Sequence, residues 1–203
     1  MAKVAGVASR LVRGTAIGCG VAAVAGGAIG FAVGEPVTPD DIVPARTMAA
    51  DLCARIGDVS SLLPKASKVA EPVVMEQGGS TSITCHAGSS RAKVRAFTAA
   101  GVKVTITPYG GREAGAGNPP LTPEQMAKKT FVRSPMNNLG DRPYLTKVSR
   151  TPAGLAGESW TVHALVQRAD ILVQVDYTAN PIDADVAQKA ALALADRAIW
   201  ESK

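Results

Sequence analysis

The chain has 203 residues, room for one domain of ordinary size with an appendage. Apolar residues make up 46% of it, which excludes wholesale disorder. The net charge of +5 suggests nucleic acid, but its distribution excludes that partner. Residues 1–34 hold Lys3, Arg10 and Arg13 and no acid, and removing these three from 22 basic and 17 acidic residues leaves residues 35–203 at +2.

Residues 14–34 form an uncharged run of 21 residues, and a helix of about 20 residues spans a bilayer core. Basic residues precede it, and Glu35, Asp40 and Asp41 follow it. The excess of cations on the N-terminal side places residues 1–13 in the cytoplasm and the rest outside. Three fates fit such a segment: a retained signal anchor, a signal peptide cleaved after the small residues Ala32 and Gly34, or a lipoprotein signal ending at Cys19. The length of the run favours the anchor in the cell membrane, with secretion after cleavage as the alternative. Lipidation is disfavoured because Ala16 and Ile17 do not set up the cysteine and the apolar run continues past it. Gly26, Gly30 and Gly34 recur every four residues, as do Gly14 and Gly18, a spacing that lets two helices dimerise by close backbone approach. The plainer reading is that a glycine-rich segment contains such spacings by chance.

Residues 35–44, with Pro36, Pro39 and Pro44, read as a stalk leading into an extracytoplasmic domain over 45–203. Met48, Leu52, Ile56, Val59 and Leu63 recur at helical spacing, and Pro64 ends that pattern. Val73 to Glu76 and Ser82 to Ala87 read as strands. Lys93 to Thr98 and Val102 to Tyr109 read as two more, on either side of Gly101. Residues 110–120 read as a long flexible loop. Thr122 and Pro123 open a short helix as N-cap and first helical residue, and residues 134–143 read as another loop.

The clearest pattern is the alternation Trp160, Val162, Ala164, Val166 followed by Ile171, Val173, Val175, Tyr177. Two antiparallel strands must put these sets on one face, which calls for an even-numbered connection around Arg168-Ala169. The expected pairs are Val166 with Ile171, Ala164 with Val173, Val162 with Val175 and Trp160 with Tyr177. Asp183 to Trp200 is an Ala-rich helix. The fold class is therefore α+β: a mainly antiparallel sheet flanked by an N-terminal and a C-terminal helix, behind one transmembrane helix.

Outside the apolar run there are two cysteines, Cys53 and Cys85. In an oxidising compartment they pair most simply as a disulfide closing about 30 residues, worth roughly 3–4 kcal/mol. Metal binding by Cys53, Cys85 and His86 is the sharper alternative, but no CxxC or HxxxH spacing supports it. No metal and no cofactor is expected.

A cysteine-bearing helix ending in a Leu-Leu pair (Leu52-Cys53, Leu62-Leu63) comes first, then a strand with the second cysteine (Ile83-Thr84-Cys85). The strand Val102 to Ile106, the Gly-Asp turn of Leu139-Gly140-Asp141, a hairpin and the Ala-rich helix follow. In this order residues 45–200 resemble a family of actinobacterial cell-envelope domains of unknown function, often lipoproteins. Some of its members form an α/β/α sandwich similar to PsbP-like domains. The resemblance implies an envelope location and contributes no catalytic residues. The family often carries a lipobox, and the surroundings of Cys19 depart from one.

His163 is expected on the outer sheet face, across from Gln174 and diagonal to Asp176. Such a pair suits a general base, although a solvated polar face is the plainer reading. Arg91, Lys93 and Arg95 share a strand face, with Lys103 near in sequence, and would meet anionic headgroups or a wall polymer; an edge protected by charge is the plainer reading. His86 reads as a surface residue, Ser80, Ser82 and Ser89 lack any nucleophile-elbow context, and the glycines of 110–117 lack a phosphate-loop context. The loops 110–120 and 134–143 are expected to line a cleft, with Tyr109, Met136 and Tyr144 as ligand contacts. The function read from all this is a non-catalytic module that binds an envelope ligand or partner protein. Two rivals remain: a hydrolase or transferase using His163 and Asp176, and a structural subunit associating through the glycine-faced span.

Overall fold

The computed structural model describes residues 36–59, 61–62, 68–69, 73–77, 80–93, 96–115, 117–153 and 159–203. Among them no helix is long and apolar enough to cross a membrane. The segment 14–34, with Cys19, Gly26, Gly30 and Gly34, lies outside the described residues, as do Leu63, Pro64 and Arg95.

Pro39–Lys203 forms one unit built on an antiparallel sheet of eight strands. These are β1 (Lys68–Val69), β2 (Val73–Gln77), β3 (Ser80–Lys93), β4 (Ala96–Pro108), β5 (Asn137–Leu139), β6 (Leu145–Pro152), β7 (Trp160–Arg168) and β8 (Ile171–Asn180). The order across the sheet is β1-β3-β4-β8-β7-β6-β5, with β2 also pairing β3. The helices are α1 (Leu52–Ile56), α2 (Pro123–Arg133) and α3 (Ala184–Glu201). The α+β class expected from the sequence is the one found.

Strand alternation sorts the side chains onto two faces. On one face Val162, Ala164, Val166, Val173, Val175, Tyr177, Val102, Val104 and Ile106 form the main core with Ile83 and Cys85. Helix α3 lies on this face and presents Ala187, Ala191, Leu194, Ala195 and Ala198, all fully buried. Its small side chains permit a close approach to the strands. Helix α1 joins the same face through Leu52, Cys53 and Ile56. Cys53 and Cys85 form a disulfide with their Cα atoms 5.5 Å apart, tying α1 to β3, so neither is available to a metal. Tyr177, the largest fully buried side chain, donates its hydroxyl to the Leu62 carbonyl at 2.7 Å.

Several elements differ from their expected form. The helix expected over residues 45–63 yields, among the described residues, only the five residues of α1. Gly57 stops it with φ +74 and ψ −159, a combination essentially confined to glycine, and a Cβ there would stand 2.7 Å from the Arg197 guanidinium. Met48 and Val59 are still buried, from non-helical backbone. Gly101 does not break a strand: it lies within β4, opposite Gly88 of β3. Residues 42–45 run against the loop after β4, where the Gly111 N–H donates to the Val43 carbonyl at 2.7 Å. Gly110 and Gly111 permit that contact, since a Cβ on either would meet Ala45 N at 2.6 Å or Ile42 Cα at 2.8 Å. The loop itself is closed by reciprocal bonds between Arg112 and Leu121 and between Gly115 and Asn118. The segment 134–143 contributes the short strand β5.

The β7–β8 hairpin has the expected parity and a different register. Arg168 pairs with Ile171, Val166 with Val173, Ala164 with Val175, Val162 with Tyr177 and Trp160 with Ala179. The connection is the two-residue turn Ala169-Asp170, so every pair moves by two residues while the apolar set keeps its face.

Candidate functional site

The second face of the sheet carries the helix α2. Helix α2 packs on it through Ala127 and Phe131, which meet Leu165 and Leu172 in a small second core joined by Tyr109 and Met136. Thr122 and Gln125 form a reciprocal capping box at the helix start. At its end the buried Lys147 ammonium donates to the carbonyls of Ser134 at 2.6 Å and Val132 at 3.1 Å, with the Phe131 ring 5.1 Å away. The charge satisfies carbonyls that the helix leaves open and sits at the negative end of its dipole.

Between α2, the 134–136 segment and the sheet lies a groove of about 470 Å³. Its floor is polar, with Thr105, Thr107, Ser149, His163 and Gln174. Leu165, Leu172, Tyr109, Pro135 and Met136 make it apolar toward the helix, and Thr130, Arg133 and Ser134 complete the lining. The volume falls in the range of small-molecule sites.

His163 is the best organised polar group there. The register sets Asp176 directly opposite it on β8, with Nδ1 2.7 Å from Oδ1. The amide of Gln174 also donates to both oxygens of Asp176, at 3.1 and 3.3 Å. On the other side of His163 the register partner is Ser149 of β6. Beyond Asp176 come Lys103 of β4 and His86 of β3, so one cross-strand row reads Ser149, His163, Asp176, Lys103, His86. Among the described residues no hydrogen bond joins Ser149 to His163. The row holds a His–Asp dyad with a hydroxyl residue beside it, which falls short of a nucleophile–base pair.

Of the residues singled out from the sequence, Tyr109, Met136 and His163 come together at the groove, with Asp176 behind the imidazole. Tyr144 goes elsewhere: it packs against the main core, with the Arg168 guanidinium 5.5 Å over its ring. Arg91 and Lys93 hold register positions opposite Thr98 and Ala96, on a part of the β3–β4 hairpin that extends past the start of the β8 pairing at Ala99. His86 is exposed. Sequence reasoning missed Thr105, Thr107, Ser149, Leu165, Leu172 and Arg133. The alternation in β4, β7 and β8 could have supplied those on these strands. Ser149 and Arg133 required the placement of β6 and α2.

No protein-family model matches the chain, and no curated protein matches it. Among solved structures it is similar to the extracellular domain of PknH from Mycobacterium tuberculosis, at 11% identity and a TM-score of 0.41, over 82% of this chain and 98% of that one. None of these findings points to PsbP-like domains, and at this level of likeness the functional reading rests on the chain's own residues.

Proposed function

We propose that the chain is an extracytoplasmic binding module, anchored through residues 14–34, that takes a small ligand in the groove between α2 and the sheet. The observation that carries this reading is the groove itself: a partly apolar recess whose floor presents an imidazole oriented by a carboxylate. The extracytoplasmic placement is supported by the basic-then-apolar N-terminus and by the buried disulfide, which suits an oxidising compartment. Helix dimerisation through Gly26, Gly30 and Gly34, and contact of the Arg91–Lys93 arm with an anionic surface, are secondary parts of the same proposal.

The test is a thermal-shift screen of the full chain in lipid nanodiscs against wall fragments, soluble headgroup analogues and small amphipathic acids. A ligand of the groove raises Tm in the wild type and fails to do so in Thr107→Phe, which fills the groove. Equal protection of both proteins places the ligand elsewhere and sinks the reading.

One observation favours a second reading. Ser149, His163 and Asp176 follow one another across three adjacent strands, the residue types of a hydrolytic triad. A hydrolase of this kind would be labelled at Ser149 by a fluorophosphonate and would lose ester hydrolysis in Ser149→Ala. Absence of labelling, beside an active serine hydrolase as control, rejects it.

A further inference from the structure

We infer that the groove selects amphipathic acids, ligands with an apolar body and a single anionic head. The inference rests on the groove being the binding site and adds the charge of what binds there. Its first support is the lining. Arg133 and His163 contribute to it, and among the described lining residues there is no carboxylate. Asp176 stands next to the site, but its oxygens already accept from His163 and Gln174.

The second support is that the Arg133 side chain makes no hydrogen bond among the described residues. A basic residue in the last turn of a helix ordinarily complements the helix dipole or bonds the open carbonyls. Here Lys147 holds the carbonyls of Val132 and Ser134 from below. Arg133 is exposed and forms no ion pair among the described residues. Its guanidinium is therefore free to make the forked contact that suits a carboxylate or phosphate. Lys103 adds a second exposed cation, also without an ion pair among the described residues, two residues along β4 from Thr105 on the same face. A cationic ligand would meet these charges, and the carboxylate beside the site, Asp176, is already engaged by His163 and Gln174. A neutral one would leave Arg133 unused.

The apolar body has a place as well. Leu165, Leu172, Tyr109 and Met136 lie together on the helix side of the groove. A ligand lying across it would set its chain or ring against them and its head toward Arg133.

The experiment uses one body with four heads: 4-phenylbutyrate, 4-phenylbutyl phosphate, 4-phenylbutyramide and 4-phenylbutylamine. The full chain in zwitterionic nanodiscs carries 13C-methyl methionine, with Met136 reporting on the groove and Met48 on the opposite core. The acids are expected to shift the Met136 methyl and leave Met48 in place. Arg133→Gln is expected to weaken them about tenfold or more, the size of one charge-assisted hydrogen bond. Whichever acid binds tighter names the head group. If the amide or the amine binds as well as the acids, or if Arg133→Gln leaves the acids unaffected, the selectivity is overturned and the groove survives as a site. If none of the four moves Met136, the groove reading itself fails, and the inference with it.

Discussion

His163 and Asp176 face each other across β7 and β8, with the imidazole Nδ1 2.7 Å from the carboxylate Oδ1. An ionised carboxylate can only accept, so a neutral imidazole bonded to it carries its proton on Nδ1 and leaves Nε2 as the acceptor. Asp176→Ala is expected to release this preference and shift the ring toward the Nε2-protonated form common in free imidazole, read from imidazole 15N shifts. The pair is partly exposed, so the same change should alter stability by no more than about 1 kcal/mol. An unchanged tautomer would mean that another group orients the ring.

The disulfide joins α1 to the central part of β3 and closes a separation of 32 residues. Helix α1 has five residues, far too few to persist without tertiary support. Cys53→Ser with Cys85→Ser should lower unfolding stability by about 3–4 kcal/mol from loop closure. A urea melt of the double variant, compared with the wild type with and without reductant, measures this. Wild-type stability that ignores reductant would place the cystine beyond chemical access, and the double variant would then decide.

Much of this fold was legible because burial dictates alternation. In β7 and β8 the apolar set identified the strands, the shared face and an even loop. It could not distinguish a four-residue connection from a two-residue one, since both keep the same residues inward: Ala164 faces the core whether its partner is Val173 or Val175. The turn chosen puts Ala169 at φ 48, a conformation that an alanine does not advertise. The difference mattered at the site, because it turned a diagonal His163–Asp176 relation into a direct one. Strand β6 escaped notice for another reason. It buries Lys147, and a lysine on a buried face makes sense only once the open carbonyls of α2 lie above it. Gly101 misled because a glycine opposite a glycine inside a long ladder has the same local signature as a turn.

Ala169 sits in the left-handed region as the first residue of the turn. The turn is held from outside: the Asp170 carbonyl accepts from the Tyr109 N–H at 2.8 Å, and the Asp170 carboxylate pairs with Arg46 at 3.1 Å. Ala169→Gly removes the Cβ strain and adds freedom to the unfolded chain, for a net gain of about 0.5–1 kcal/mol. Ala169→Asn should gain a similar amount, because asparagine tolerates this conformation. A chemical melt that shows either variant destabilised would argue against strain at this turn.

Burial pushes the Tyr177 hydroxyl above its ordinary value of 10.0. The unfolded chain therefore gives up this proton at lower pH than the folded one. Below about pH 10 both states keep it and the full stability is present; as pH rises past 10 toward the folded value, unfolding gains by ionisation and stability falls. Tyr177→Phe should lose the bond to Leu62, costing about 1 kcal/mol near neutrality. It should also flatten the alkaline limb of a stability–pH curve. An identical limb in the variant would assign the loss to other groups.

Lys147 is the residue through which stability and site meet. It is only 6% accessible, yet no carboxylate pairs with it among the described residues. Two carbonyls and the end of the α2 dipole carry the compensation. Lys147→Met keeps the stem and removes the ammonium, leaving the Val132 and Ser134 carbonyls without that donor at a cost of about 1–3 kcal/mol. The loss should be local, because α2 packs on the sheet through a small core separate from the main one. Amide hydrogen exchange should quicken from Ala127 to Ser134 while Val173, Val175 and Leu194 keep their protection. Ligands of the groove should weaken together, whatever their charge, since one wall of the site has loosened. Faster exchange across the whole sheet would instead make α2 part of the same cooperative unit as the main core, and the groove would then open only when the domain unfolds.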